Sequence, residues 1–164
     1  MARRFRGKSV HKVDAKGRVS IPASFRRVLE EGDPDWGPGE NPQLVIVHGS
    51  RDGECLEGYS IRAMDEMDDL IEKMPRFSPE REYWETMMNT DSDYASVDEN
   101  GRMVLSAGLR KKIGVKSEIV FVGKGNTFQM WDPKAYDADL DRIKSWGKET
   151  DNPYAYLYGD KQEG

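Results

Sequence analysis

The sequence predicts an α+β fold built from two tandem copies of one small module, each followed by amphipathic helices. Two observations predict it. The first is a repeat: Val13, Asp14, Gly17, Arg18, Ala23 and Arg26 recur as Val97, Asp98, Gly101, Arg102, Ala107 and Arg110. The register is constant, since 98 − 14 and 110 − 26 both give 84. Positions that differ stay alike in kind, Val19 with Met103, Ile21 with Leu105 and Phe25 with Leu109. The second is the order of patterns after each copy, in which short apolar runs of strand type give way to apolar residues at helical spacing.

The shared Asp-x-x-Gly-Arg segment reads as a tight turn between two antiparallel strands. The carboxylate accepts backbone N–H groups, and Gly17 or Gly101 supplies a positive φ. Asp14 and Asp98 therefore brace their turns, and Arg18 and Arg102 follow as long exposed cations. Phe5 to Val13 reads as the strand entering the first turn and Arg18 to Ile21 as the strand leaving it. Pro22 opens a short helix that buries Phe25, Val28 and Leu29.

Glu30 to Pro42, rich in Gly, Pro and acid, reads as a loop. Leu44 to Val47 and Cys55 to Tyr59 read as paired strands. Arg62 to Met74 is expected as an amphipathic helix with Met64, Met67, Leu70, Ile71 and Met74 on one face. Ser78 and Pro79 mark the start of a second helix, expected to bury Tyr83, Trp84, Met87 and Met88. The plan then repeats, with a turn at Asp98 to Arg102, a short helix over Ser106 to Ile113, and strands at Ile119 to Val122 and Thr127 to Trp131. A helix capped by Asp132 and opened by Pro133 closes it, with Tyr136, Leu140 and Ile143 at helical spacing. The expected division is a first module over 5–59, connecting helices over 60–90, a second module over 91–131, a C-terminal helix over 132–146 and a flexible tail over 147–164.

Charge is unevenly spread. The net charge is −5, yet residues 1–27 hold nine Lys or Arg against Asp14 alone, and residues 28–100 hold 20 acidic and five basic residues. A basic end beside an acidic middle implies an oriented anion-binding face. The single cysteine, Cys55, cannot form an intramolecular disulfide and suggests a reducing compartment. No Cys/His cluster has zinc spacing, and neither a secretory signal nor a run long enough to span a membrane is present, so a cytoplasmic protein is expected.

Enzyme chemistry finds little support. His11, Asp14 and Ser20 or Ser24 lack a nucleophile elbow. Gly123-Lys-Gly-Asn-Thr lacks the phosphate-loop spacing and precedes a strand. The carboxylates Asp65, Glu66, Asp68 and Asp69 fit the solvated face of an amphipathic helix. No cofactor, metal or small-molecule substrate is expected.

Phe5-Arg6-Gly7, the two Asp-x-x-Gly-Arg turns, Ile21-Pro22 before Phe25-Arg26, and Val122-Gly-x-Gly-Asn-x-Phe128-x-x-Trp131-Asp132 together resemble the MraZ family of bacterial regulators. The resemblance runs from about Phe5 to Trp146. It implies two AbrB-like swapped-hairpin β-barrel modules forming a pseudo-dimer within one chain, and several chains closing into a homo-oligomeric ring. It also implies a nucleoid-associated transcription factor that binds double-stranded DNA, reading short G-rich direct repeats upstream of its own cell-division and cell-wall operon. The turn arginine of the family contacts DNA, which corresponds here to Arg18 and Arg102. The chain departs from the pattern in the second turn, where Glu99-Asn100 replaces Ala15-Lys16 and no proline lies between Met103 and Arg110.

These expectations divide the contacts. Arg3, Arg4, Arg6, Lys8, Lys12 and Lys16 would hold phosphates without regard to sequence. Arg18 and Arg102 would reach guanine O6 and N7 in the major groove. The competing reading is a ring-forming assembly protein whose acidic helices bind protein partners, with DNA incidental.

Overall fold

The structure, a computed structural model, describes residues 3–159 of the 164-residue chain. They fall into two compact units, one ending at Pro133 and one starting at Lys134.

In the first unit, copy one contributes β1 (Lys8–Lys12), β2 (Arg18–Ser20), α1 (Ala23–Glu31), β3 (Gln43–Val47) and β4 (Leu56–Ser60). Next come α2 (Ile61–Glu72), α3 (Pro79–Glu85) and a π-helical turn at Thr86–Thr90. Copy two contributes β5 (Ser92–Ser96), β6 (Arg102–Val104), α4 (Ala107–Lys112), β7 (Glu118–Gly123) and β8 (Thr127–Trp131). The register of 84 holds from the first strand of each copy to the start of its short helix. It drifts only past the loop after α1, which is longer than its counterpart after α4.

Strand pairing interlocks the copies. The main sheet has the order β1-β7-β8-β4-β3-β5, and β2 pairs with β6 in a separate two-stranded sheet. Exchanging β1 with β5, β7 with β3 and β8 with β4 leaves the main order unchanged when read backwards. β1 of the first copy lies antiparallel on β7 of the second, and β5 of the second lies antiparallel on β3 of the first. This corrects the expectation that each turn joins two strands paired with each other. Only a single bridge, Val13 to Val19, links the two sides of the first turn. A three-residue strand offers few ladder bonds to its sequence neighbour, and the buried Val19 and Met103 face each other across the β2–β6 pair instead.

The copies share one core. Val13, Val19, Ile21, Phe25 and Leu29 pack in the same cluster as Val97, Met103, Leu105, Ile113 and Val115. Phe5, Phe25, Phe121 and Phe128 meet within it, with ring centroids 4.9 to 6.3 Å apart. Truncating one such ring costs roughly 3–5 kcal/mol, and the loss would fall on both copies at once. β3 alternates between two cores. Leu44 and Ile46 face the shared cluster, while Val45 and Val47 join Tyr59, Ala63, Met64, Ile71 and Met88 beneath α2.

The helices differ from expectation in detail. Pro22 is the N-cap of α1 and lies outside its first turn, with φ −51° and ψ 137°. Ser60 and Ser78 cap α2 and α3 through the backbone N–H groups of Ala63 and Arg81. α2 buries Ala63, Met64 and Ile71, but Leu70 is exposed. α3 buries no residue, Tyr83 and Trp84 stack edge to face at its surface, and Met88 in the π-helical turn that follows is buried.

The second unit holds most of α5 (Pro133–Glu149) and the one-turn α6 (Ala155–Tyr158). Arg142 bonds Asp139 at 3.0 Å, and Trp146 meets Tyr156 with ring centroids 5.5 Å apart. Helical structure therefore enters the stretch expected as a tail over 147–164, whose last residues, 160–164, lie outside the described residues. Among the described residues no helix is long and apolar enough to cross a membrane.

Candidate nucleic-acid interface

The two turns form as the residue types dictate. In the first, Asp14 Oδ1 accepts the backbone N–H groups of Lys16 and Arg18, each at 2.9 Å. Gly17, at φ +82°, donates its N–H to the Asp14 carbonyl at 2.9 Å. In the second, Asp98 Oδ1 accepts from Asn100 at 2.8 Å and Arg102 at 2.9 Å, and Gly101 sits at φ +76°. The backbone N–H of Arg18 is the main cause that holds the Asp14 carboxyl below its ordinary pKa, with the Arg18 side chain next. The backbone N–H of Arg102 does the same for Asp98, against an opposing desolvation effect.

The side chains after the turns are held less equally. Arg18 Nε donates to Asp14 Oδ2 at 2.6 Å, whereas Arg102 Nε stands 3.6 Å from Asp98 Oδ2. Asp14 thus takes the Nε of Arg18 and leaves its two terminal nitrogens without a bond to that carboxylate.

The pairing of β2 with β6 brings the two arginines together. Arg18 lies opposite Val104, and Arg102 opposite Ser20. Alternation puts Val19 and Met103 in the core and Arg18, Ser20, Arg102 and Val104 on the other face. Arg18 and Arg102 are diagonal neighbours on that face, a relation that sets residues about 7–8 Å apart, with their Cβ atoms somewhat closer. They line an open groove of about 560 Å³ with Lys12, Val13, Asp14, Ser20, Ser117 and Glu118.

The other predicted cations do not all gather here. Lys16 is on the first turn, and Lys12 and Lys8 are exposed on one face of β1. β1 runs from Lys8 opposite Val122 to Lys12 opposite Glu118, so Arg6, Arg4 and Arg3 lie beyond its far end. There Phe5 is buried and bridged to Gly125. Arg3 Nε is engaged by Glu31 Oε1 at 3.0 Å. The basic start is thus drawn out along a strand.

Four residues on or against this surface escaped sequence reasoning as site residues. Ser20 and Val104, the latter 62% exposed, follow from two-residue alternation once Arg18 and Arg102 are placed. Arg26 and Arg110 were visible as repeat positions, but no local pattern says where they reach.

The residues considered for catalysis have other duties. His11 Nε2 lies 2.8 Å from Ser9 Oγ, its ring meets Phe121 edge-on, and burial lowers its pKa. Asp14 is committed to its turn. Among the described residues no group of three or more His, Cys, Asp or Glu is placed to hold a metal ion.

Comparison with known proteins accounts for the duplication. The family profile described as "MraZ protein, putative antitoxin-like" matches residues 4–83 and again residues 88–152. The chain is 52% identical to the "Transcriptional regulator MraZ" of Ruegeria pomeroyi over 163 residues, covering 97% of this chain and 98% of the relative. It is 47% identical to the protein of the same name from a further Ruegeria strain, with the same coverage. A Cereibacter sphaeroides protein of that name is 41% identical over 147 residues, covering 85% of this chain and 86% of the relative. These relatives bear the name of a regulator and not of an enzyme. Two profile matches in one chain, and relatives this similar along nearly its whole length, establish that the chain belongs to the MraZ family.

Proposed function

We propose that the protein is a sequence-specific DNA-binding transcriptional regulator that reads short G-rich direct repeats upstream of its own cell-division and cell-wall operon. The observation that carries the reading is the β2–β6 pair, an exposed two-stranded ribbon presenting Arg18 and Arg102 on one face. The major groove of B-DNA admits a two-stranded ribbon, and arginine bonds guanine O6 and N7 bidentately for about 1–3 kcal/mol of discrimination. Asp14 holds Arg18 from the side, which fixes the direction of its terminal nitrogens and lowers the ordering cost of that contact. Diagonal arginines suit guanines one or two base steps apart, given a rise of about 3.4 Å per step.

Lys12, Lys16 and Lys8 hold the flanking phosphates and supply salt-dependent affinity. Arg6, Arg4 and Arg3 act farther along the backbone, Arg3 after giving up Glu31. The modules are swapped-hairpin β-barrels of the AbrB type, a reading supported by the exchange of β1 and β5. Copies join in a homo-oligomeric ring, so that spaced ribbons meet spaced repeats and single weak contacts add through effective concentration. The site of action is the cytoplasm, at the nucleoid.

Fluorescence anisotropy tests this with wild type, Arg18→Ala and Arg102→Ala on the chain's own upstream DNA and on a scrambled duplex at two salt concentrations. The reading requires a preference for the upstream duplex, its loss in Arg18→Ala, and affinity that falls steeply with salt for both duplexes. Equal binding of both duplexes by the wild type overturns it. One observation favours the competing reading of a protein-docking ring, namely the exposed Phe77, Tyr83 and Trp84 around α3. That reading predicts a tight protein complex formed without DNA.

A further inference from the structure

Arg26 and Arg110 occupy the same register in the two copies, and the scheme of base and phosphate contacts uses neither. Both are half-buried, and both stand at the fourth position of their short helices, α1 and α4. Among the described residues, neither side chain makes a hydrogen bond to the turn of its own copy. A methyl group placed on Gly101 would lie 2.7 Å from Arg26 Cζ and 3.0 Å from its Nε. The Arg26 guanidinium therefore covers the glycine of the second turn. Arg26 Nε is buried and has no hydrogen-bond partner among the described residues, so this nitrogen acts by packing against the turn.

The reciprocal contact runs from copy two to copy one. A methyl group on Gly17 would lie 3.2 Å from Arg110 Nε and would collide with the Leu105 carbonyl. Arg110 Nε donates to that same carbonyl at 3.1 Å, and Leu105 N–H donates to the Gly17 carbonyl at 2.8 Å. Ile21 N–H donates to the Gly101 carbonyl at 2.9 Å in the matching position. Each turn thus rests on the strand end and the helix arginine of the opposite copy.

We infer that Arg26 and Arg110 are positioning residues that act across the pseudo-dyad, Arg26 setting the second turn and through it Arg102, and Arg110 setting the first turn and through it Arg18. The inference rests on the reading of Arg18 and Arg102 as base-contacting residues. It deepens that reading by making the two readers one device, in which each turn aspartate holds its own arginine while the helix arginine of the other copy steadies the turn beneath it. Lysine is the informative replacement, because it keeps the charge and loses the planar guanidinium that lies on the glycine.

The test has two arms, both on the full chain. In the first, double-mutant cycles of Arg26→Lys with Arg102→Ala and with Arg18→Ala are read as the preference for upstream over scrambled DNA. The crosswise cycle departs from additivity by roughly threefold or more, as for residues sharing a contact, and the same-copy cycle is additive. Additivity in the crosswise cycle, or equal coupling in both cycles, overturns the inference.

The second arm needs no DNA. Amide hydrogen exchange of Arg26→Lys is faster over residues 98–102 and unchanged over 14–18, and Arg110→Lys gives the reverse. A change in both turns, or in neither, also overturns the inference. If the wild type shows no base preference, the reading of the arginines fails while exchange still decides the bracing.

Discussion

The two turns share one backbone and differ in how their arginines are held. At Asp14 the carboxylate bonds both the backbone and the side chain of Arg18, with Nε at 2.6 Å. At Asp98 the same backbone bonds form, but Arg102 Nε stands at 3.6 Å. The flanking residues move the same way, Ala15-Lys16 against Glu99-Asn100. A duplicated motif has kept its turn geometry, which any copy needs in order to fold, while its electrostatics have diverged. Arg18 thus sits in the more ordered and more basic setting, and it is the stronger candidate to dominate base reading.

The comparison is broken most severely at the glycines. Gly17→Ala and Gly101→Ala both force a side chain into a positive φ, at about 1–2 kcal/mol. At Gly17 the added methyl meets the backbone carbonyl of Leu105, and at Gly101 it meets the Arg26 side chain. Backbone yields less than side chain, and overpacking adds about 1–3 kcal/mol. Gly17→Ala is therefore expected to lower the urea midpoint more than Gly101→Ala. Equal losses would show that the two sites relax alike.

Next in size is the effect on base preference. Arg18→Ala should cost on the order of tenfold to a hundredfold in the ratio of upstream to scrambled binding, the range of one bidentate contact. Arg102→Ala should cost less, and a larger loss would reverse the ranking of the turns.

A smaller effect should follow from making the turns alike. Glu99→Ala combined with Asn100→Lys gives the second turn the sequence of the first. It should strengthen binding to both duplexes at low salt and raise the salt slope by about one. A gain confined to the upstream duplex would mean that the second turn reads bases through those residues.

The smallest difference concerns pH. Both carboxyls are held below their ordinary pKa, so their contribution to stability is present above the unfolded-state value, about 4. It is lost as the pH falls through the folded-state value. The Arg18 side-chain bond is a leading cause at Asp14, while its counterpart is the least at Asp98. In an acid titration followed by amide NMR, the Gly101 signal should move at a higher pH than that of Gly17. Coincident transitions would argue that the side-chain bond adds little.

Much of this molecule was legible along the chain because its signals are local. Asp14 and Asp98 bond residues two and four positions on, so the turns follow from Asp and Gly spacing. Ser78 caps its helix through the third residue on, as local capping chemistry requires. Failures came where distant packing decides. Tyr83 and Trp84 have the composition of core residues, yet both lie at the surface of α3, and the residue buried from this stretch is Met88. Arg3 looked like one of a basic cluster, but the buried Phe5 ties that end of the chain to Gly125, far along β1 from the turn.

The sequence by itself determined the duplication, the two turns, the arginines placed after them and the uneven charge, since each depends on residues a few positions apart or on a repeat with a fixed register. Only the tertiary structure decided which strand pairs with which. A period-two pattern names the face of a residue but not its partner, and β1, β2 and β5 all find their partners in the other copy. That exchange sets Arg18 beside Arg102 and lays Arg26 and Arg110 on the opposite turns. The physical reason is the shared core, in which apolar faces of both copies are buried in one cluster.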